Sequence, residues 1–162
     1  MSAALSTSPA RVESPSGQTM EPFLFGPGAA PLFGVLHAPA PGRARGAAVL
    51  LVPAHGHEYT RSHRAFRHLA ERLARTGFHA MRFDPRGCGD SAGDSGDAGV
   101  AAWLEDVAAA AEELRRRARQ SWTCLVGRRL GGALATVHAA SAGGVGTLVL
   151  WDPAISGAGY LR

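Results

Sequence analysis

Residues Trp122 to Gly144 read WTCLVGRRLGGALATVHAASAGG. The segment opens as a short apolar run and closes as a small-residue stretch suited to a helix. Between them two arginines stand in a frame of glycines. Strand, tight turn and small-residue helix form the elbow on which G-x-S-x-G sequences present a nucleophilic serine. Here the five positions are Gly127, Arg128, Arg129, Leu130 and Gly131, so the central one holds Arg129. Gly127 and Gly131 permit the tight turn, and Gly131, Gly132 and Ala133 let helix and strand approach closely. Elbow geometry is therefore expected, but serine chemistry at it is not. A guanidinium stays protonated, offers no acceptor and cannot attack a carbonyl.

Outward from the elbow, strands alternate with helices. The run AAVLLVPA (Ala47–Ala54) is continuously apolar, as in a strand buried on both faces. In HRAFRHLAERLARTG (His63–Gly77), Phe66, Leu69, Ala70 and Leu73 share one helical face. FHAMRFD (Phe78–Asp84) is a second strand, and a glycine–aspartate loop follows from Pro85 to Gly99. VAAWLEDVAAAAEELRRRA (Val100–Ala118) is an amphipathic helix, and GTLVLWDP (Gly146–Pro153) is the last strand. Before all of these, Glu21–Phe25 and Pro31–Pro39 flank GPGAA as a hairpin. The pattern predicts an α/β fold: a doubly wound, mostly parallel sheet with an N-terminal β-hairpin. Ligands of such sheets bind beyond the carboxyl ends of the strands. The loops His55–Ser62, Pro85–Gly99 and Gly127–Leu130, together with Asp152, fall on that edge.

That edge carries the candidate chemistry. HGHE follows the central strand, where backbone N–H groups near Gly56 and His57, with that of Leu130, would form an oxyanion hole. Gly89–Gly93 spells GDSAG, which satisfies G-x-S-x-G and resembles the nucleophile string of hydrolases related to hormone-sensitive lipase. PRGC separates it from the preceding strand and no helix leaves it directly, so the string lacks the setting that gives the motif meaning. It reads as a polar loop in which Asp97 helps begin the next helix. A Ser-His-Asp set at an elbow runs nucleophile, acid, histidine along the chain. After Arg129 the only histidine is His138, placed on a helix face about two turns on. The catalytic candidates left are Ser91 and Asp152, and no complete triad can be assembled. His55, His57 and Glu58 share one loop without further ligands, so no metal site is expected, and no cofactor is implied. Arg128 and Arg129 at a helix start suit an anionic or other small-molecule ligand.

Composition bounds the rest. The 162 residues suffice for one domain, with 46% hydrophobic and 19% charged positions and a formal net charge of +4. All basic residues are arginine, as a GC-rich coding bias would give, so the charge does not argue for nucleic-acid binding. The run Arg115 to Arg119 ends a predicted helix, where cations oppose the helix dipole. Cys88 and Cys124 make neither a disulfide framework nor a zinc spacing, which fits a cytoplasmic protein. No run is long enough to span a membrane. Residues 1–19, rich in Ser, Pro and Ala, read as a disordered segment and not as a signal peptide. Residues 20–162 form the folded domain.

The set LLVPAHGH, MRFDPRGCGDSAGD, LVGRRLGGALA and LVLWDP resembles the α/β-hydrolase superfamily in its order along the chain. Within it, GCGDSAGDSGDAG, AWLEDV, GRRLGG and LWDPAISG resemble the exosortase A system-associated hydrolases of type 2, with Arg129 at their elbow arginine. The position of Glu58 and the interruption of a Ser-Arg pair by His63 depart from that pattern. The resemblance spans Pro31 to Arg162. It implies an α/β-hydrolase-like fold, a superfamily activity on esters, thioesters or amides, and a setting in bacterial exopolysaccharide and protein-sorting gene clusters. It also implies a C-terminally truncated fold, since such proteins continue beyond this point. The last strand would then be a bare hydrophobic edge open to a second copy or to a C-terminal partner. Three functions follow as expectations: a hydrolase, a pseudoenzyme binding an anionic ligand at Arg128 and Arg129, or a non-functional gene fragment.

Overall fold

The computed structural model describes residues 11–94, 96 and 98–157. Its elements run β1 (Val12–Glu13), β2 (Thr19–Phe25), β3 (Leu32–Ala38), β4 (Ala48–Val52), α1 (His57–Arg75), β5 (His79–Phe83), α2 (Val100–Ala118), β6 (Thr123–Arg128), α3 (Leu130–Ser141) and β7 (Val145–Trp151). The seven strands form one sheet in the order β1-β2-β3-β5-β4-β6-β7. β1 to β3 are an antiparallel meander, and β3 pairs antiparallel to β5. From β5 through β4 and β6 to β7 every pairing is parallel. The expected mostly parallel α/β sheet with an N-terminal hairpin is what forms.

β4 lies deepest, and all five of its residues are buried. Side chains alternate across a strand, so β4 feeds two cores. Ala48, Leu50 and Val52 join Met81, Leu125 and residues of α2 and α3 on one face. Val49 and Leu51 join Phe66 and Ala70 of α1 on the other. Truncating Leu50 or Leu51, both fully buried, would cost roughly 2–5 kcal/mol.

Two boundaries differ from expectation. The helix expected from His63 begins at His57, so most of the expected loop His55–Ser62 is helical. Its start is polar and carries no apolar stripe to announce a helix. Gly56 supplies the turn, with φ 61°. Ser62, buried where a loop residue was expected, satisfies its hydroxyl on the carbonyls of Glu58 and Tyr59. The segment 1–19, expected to be disordered, contains β1, and Thr19 already belongs to β2. Val12 pairs with Met20 and Glu13 with Thr19 around a turn in which Ser14 accepts the Gln18 N–H. Residues 1–10 and Asp97 lie outside the described residues, and α2 starts behind Gly99 without a side-chain cap.

The basic run ending α2 is used internally. Arg116 and Arg117 both pair with Glu113, and Arg117 also reaches Glu21 at 2.7 Å and lies over the Phe23 ring. Among the described residues no helix is long and apolar enough to cross a membrane. At the other end of the sheet β7 is an edge strand, with Val149, Leu150 and Trp151 all more than two-fifths exposed.

Candidate functional site

The elbow is built as the glycines imply. β6 ends at Arg128, α3 begins at Leu130, and Arg129 alone makes the turn, with φ 53° and ψ −123°. A left-handed φ at a non-glycine residue is strained and persists only where its surroundings over-determine it. Here the Arg129 N–H donates to the Trp151 carbonyl at 3.3 Å. Its own carbonyl accepts from Gly132 and Ala154, each at 3.0 Å. Close packing of α3 fixes the turn from the other side. A Cβ on Gly127 would lie 2.6 Å from the Gly131 carbonyl oxygen, and one on Gly131 would run into the carbonyls of Val52 and Pro53.

The Arg129 side chain is held between two acids. Its Nε donates to Glu58 Oε1 at 2.8 Å, and its Nη1 to Asp152 Oδ2 at 3.3 Å. Glu58 stands in the first turn of α1, where the helix dipole already favours an anion. The bridge therefore ties the start of α1 to the turn before α3 and to the end of β7. The two acids are unequal. The Glu58 side chain is 21% exposed and that of Asp152 is 70% exposed. Arg128 points elsewhere, with its guanidinium 5.6 Å from the Trp151 ring centroid.

Among the other sequence candidates, Gly56 and His57 lie exposed at the start of α1, and Leu130 opens α3. His57 and Leu130 are first residues of their helices, so their N–H groups have no partner within the helix. The Arg129–Glu58 contact brings these two helix starts within one side-chain reach. Ser91 lies in a different setting. Its hydroxyl donates to the Asp84 carbonyl and accepts the Phe33 N–H at 2.8 Å, which pins the glycine loop to β3. No strand leads into Ser91 and no helix leaves it. His138 is buried in α3, as a helix-face residue.

Several residues outside the candidate set organise this edge. Asp84 accepts from Tyr59 Oη at 2.6 Å and from the Asp90 N–H at 3.1 Å. Burial and that bond to Asp84 push the Tyr59 phenol far up. Gly89, at φ 53°, leaves no room for a Cβ against the Asp84 carboxylate. Asp106 of α2, 1% exposed, accepts from the backbone N–H, Nε and Nη2 of Arg86. His55 is buried against Trp103, with ring centroids 4.1 Å apart, and burial lowers its pKa to about 4. Neither ring nitrogen of His55 has a hydrogen-bond partner among the described residues. The elbow side chain itself is met by Glu58 from the start of α1. Its sequence signal was an acid in the loop after the central strand, 71 residues from the arginine it meets.

Comparison with known proteins agrees with this architecture. The family described as Serine aminopeptidase, S33 (Hydrolase_4) matches residues 44–161. Among solved structures, an alpha-beta serine hydrolase homologue from Coxiella burnetii superposes with a TM-score of 0.70 at 23% identity, covering 88% of this chain and 67% of that one. A thermostable carboxyl esterase from Bacillus coagulans, solved with glycerol, gives 0.65 at 22%, covering 81% and 43%. The esterase Est1E from Butyrivibrio proteoclasticus, solved with ferulic acid, gives 0.66 at 19%, covering 82% and 53%. The chain spans about half the length of several of the solved structures it matches. No curated protein matches the sequence. With the elbow, the sheet order and a family match over most of its length in agreement, the chain belongs to the Serine aminopeptidase, S33 family of α/β-hydrolase fold.

Proposed function

We propose that this chain is a non-hydrolytic α/β-hydrolase domain whose elbow arginine recognises an anionic ligand. One observation carries the reading. The residue in the nucleophile's backbone conformation is Arg129, and its guanidinium is engaged by Glu58 at 2.8 Å. Glu58 keeps the guanidinium in place. Asp152, exposed and at 3.3 Å, is the partner that a ligand carboxylate or phosphate would displace. The amides at the starts of α1 and α3 would add donors to that anion. The motif likeness to the exosortase A system-associated hydrolases supports a cytoplasmic role in bacterial exopolysaccharide and protein sorting, with an anionic sugar, lipid phosphate or acyl carrier as ligand.

Two measurements test the reading. A fluorophosphonate probe should label no serine, whereas labelling of Ser91 would restore hydrolysis as the function. Calorimetric titration with glucuronate and glycerol phosphate should show binding that Arg129→Ala weakens about tenfold, the effect of one charge-assisted contact. An unchanged affinity across the panel would sink the proposal.

A further inference from the structure

A cavity lies away from the elbow, between the β1–β2 turn region and the second half of α1. It has a volume of about 310 Å³, which is at the lower end of small-molecule sites. Val12, Met20 and Ala74 give it an apolar side. A second recess of about 240 Å³ adjoins it, since both share Ser16, Gln18, Ala74 and Arg75. Arg43 lines that recess opposite the hairpin turn.

Two features of the lining suit a bound anion. The side chains of Arg43 and Arg75 make no ion pair with any described residue, although both border the same recess as the Ser16 hydroxyl and the Gln18 amide. By contrast Arg67, at the other end of the cavity, is paired with Glu71 at 3.0 Å. The second feature is His37, 3% exposed, in the cavity wall. Its Nε2 accepts from Arg82 Nε at 3.4 Å. An arginine can only donate, so in the neutral ring the proton sits on Nδ1. As an N–H donor and not an acceptor, that nitrogen does not repel an anion in the cavity.

We infer that this cleft binds a small amphiphilic anion, with a carboxylate or phosphate head between Arg43 and Arg75 and a short apolar body against Val12, Met20 and Ala74. Cations and neutral donors outnumber the one carboxylate, Glu71, which Arg67 and His68 already engage.

The test is calorimetric titration of the full chain with hexanoate, hexyl phosphate, inorganic phosphate and 1-hexanol. Hexanoate and hexyl phosphate should bind, with the better of the two showing which head group fits. Inorganic phosphate and hexanol should each bind at least about tenfold more weakly, because each lacks one half of the recognition. The double variant R43A/R75A, altered only at exposed positions, should keep its circular dichroism spectrum and lose at least about tenfold in affinity for the amphiphiles. Arg129→Ala should bind them as the parent does, which separates this site from the elbow. Binding of hexanol as tight as that of hexyl phosphate, or an unaltered affinity in the double variant, overturns the inference. So does the absence of binding by both amphiphiles.

Discussion

Replacing Arg129 by alanine and by glycine separates the two forces at the elbow, because the variants lose the same ion pair and differ in backbone strain. The contact with Glu58 is 2.8 Å long, between side chains 28% and 21% exposed. A charge-assisted bond in that setting contributes about 1–2 kcal/mol. The contact with Asp152, which is 70% exposed, adds only about 0–0.5 kcal/mol after solvent screening. Arg129→Ala removes both contacts and keeps a β-carbon at φ 53°, ψ −123°. It should be less stable than the parent by about 1–2 kcal/mol. Arg129→Gly removes the same contacts but releases strain of about 1–3 kcal/mol. It should fall within about 1 kcal/mol of the parent and above the alanine variant by about 1–2 kcal/mol. Urea unfolding followed by circular dichroism measures the difference, and a thermal midpoint would move about 2–4 °C per kcal/mol at this chain length. On relaxed backbone glycine is the worse residue by about 0.5–1 kcal/mol. An alanine variant equal to or more stable than the glycine variant would therefore refute the claim that the elbow is strained.

Other outcomes follow from the same contacts. Gly131→Ala should destabilise by about 3 kcal/mol or prevent folding, since its Cβ meets the backbone of Val52 and Pro53; denaturant midpoints would show it. Asp106→Ala should cost about 3 kcal/mol in the same assay, because it strips Arg86 of its buried acceptor. His37 and His55 have pKa values lowered from 6.5 to about 4, chiefly by burial. The unfolded chain therefore takes up these protons first. Their stabilisation is complete above pH 6.5 and declines as pH falls toward 4, by roughly 3 kcal/mol per histidine. Denaturation titrations across that window should flatten by about half in the His55→Phe variant.

What the sequence disclosed depended on how local the cause was. The buried strand β4 and the helix Val100–Ala118 were legible because each carries its own hydrophobic pattern. The elbow was legible because its glycines stand close together around one turn, with Gly127 answering to Gly131 and Gly132 a few residues on, although Gly131 itself answers to the distant Val52 and Pro53. The first turn of α1 was not, since His57–Ser62 shows no apolar stripe and the turn is held by Gly56 and by contacts to distant loops. β1 was missed for the same reason, being a two-residue strand defined by its pairing with β2. The Glu58–Arg129–Asp152 bridge joins three segments that no spacing rule connects.

The strained turn at Arg129 raises a question that serine chemistry usually answers, namely why a protein would keep such a backbone. Here no nucleophile stands on the turn, yet φ is still positive. The packing supplies the reason. α3 joins β6 to its parallel neighbour β7, so the chain must turn at the end of β6 and run back along the sheet. Gly131 lies so near the Val52 and Pro53 carbonyls that the first turn of α3 has no freedom to shift outward. The reversal must then be completed within one residue, and the carbonyl of that residue is taken by Gly132 and Ala154. The strain belongs to the sheet-and-helix topology and would persist for any side chain at position 129. On this view the fold supplies the elbow and the side chain supplies the chemistry, and exchanging one for the other leaves the geometry intact. Arg129→Ser should accordingly keep the stability ranking set by strain, close to that of Arg129→Ala, while gaining no labelling by a fluorophosphonate, because His138, the one histidine after position 129, is buried in α3 as a helix-face residue.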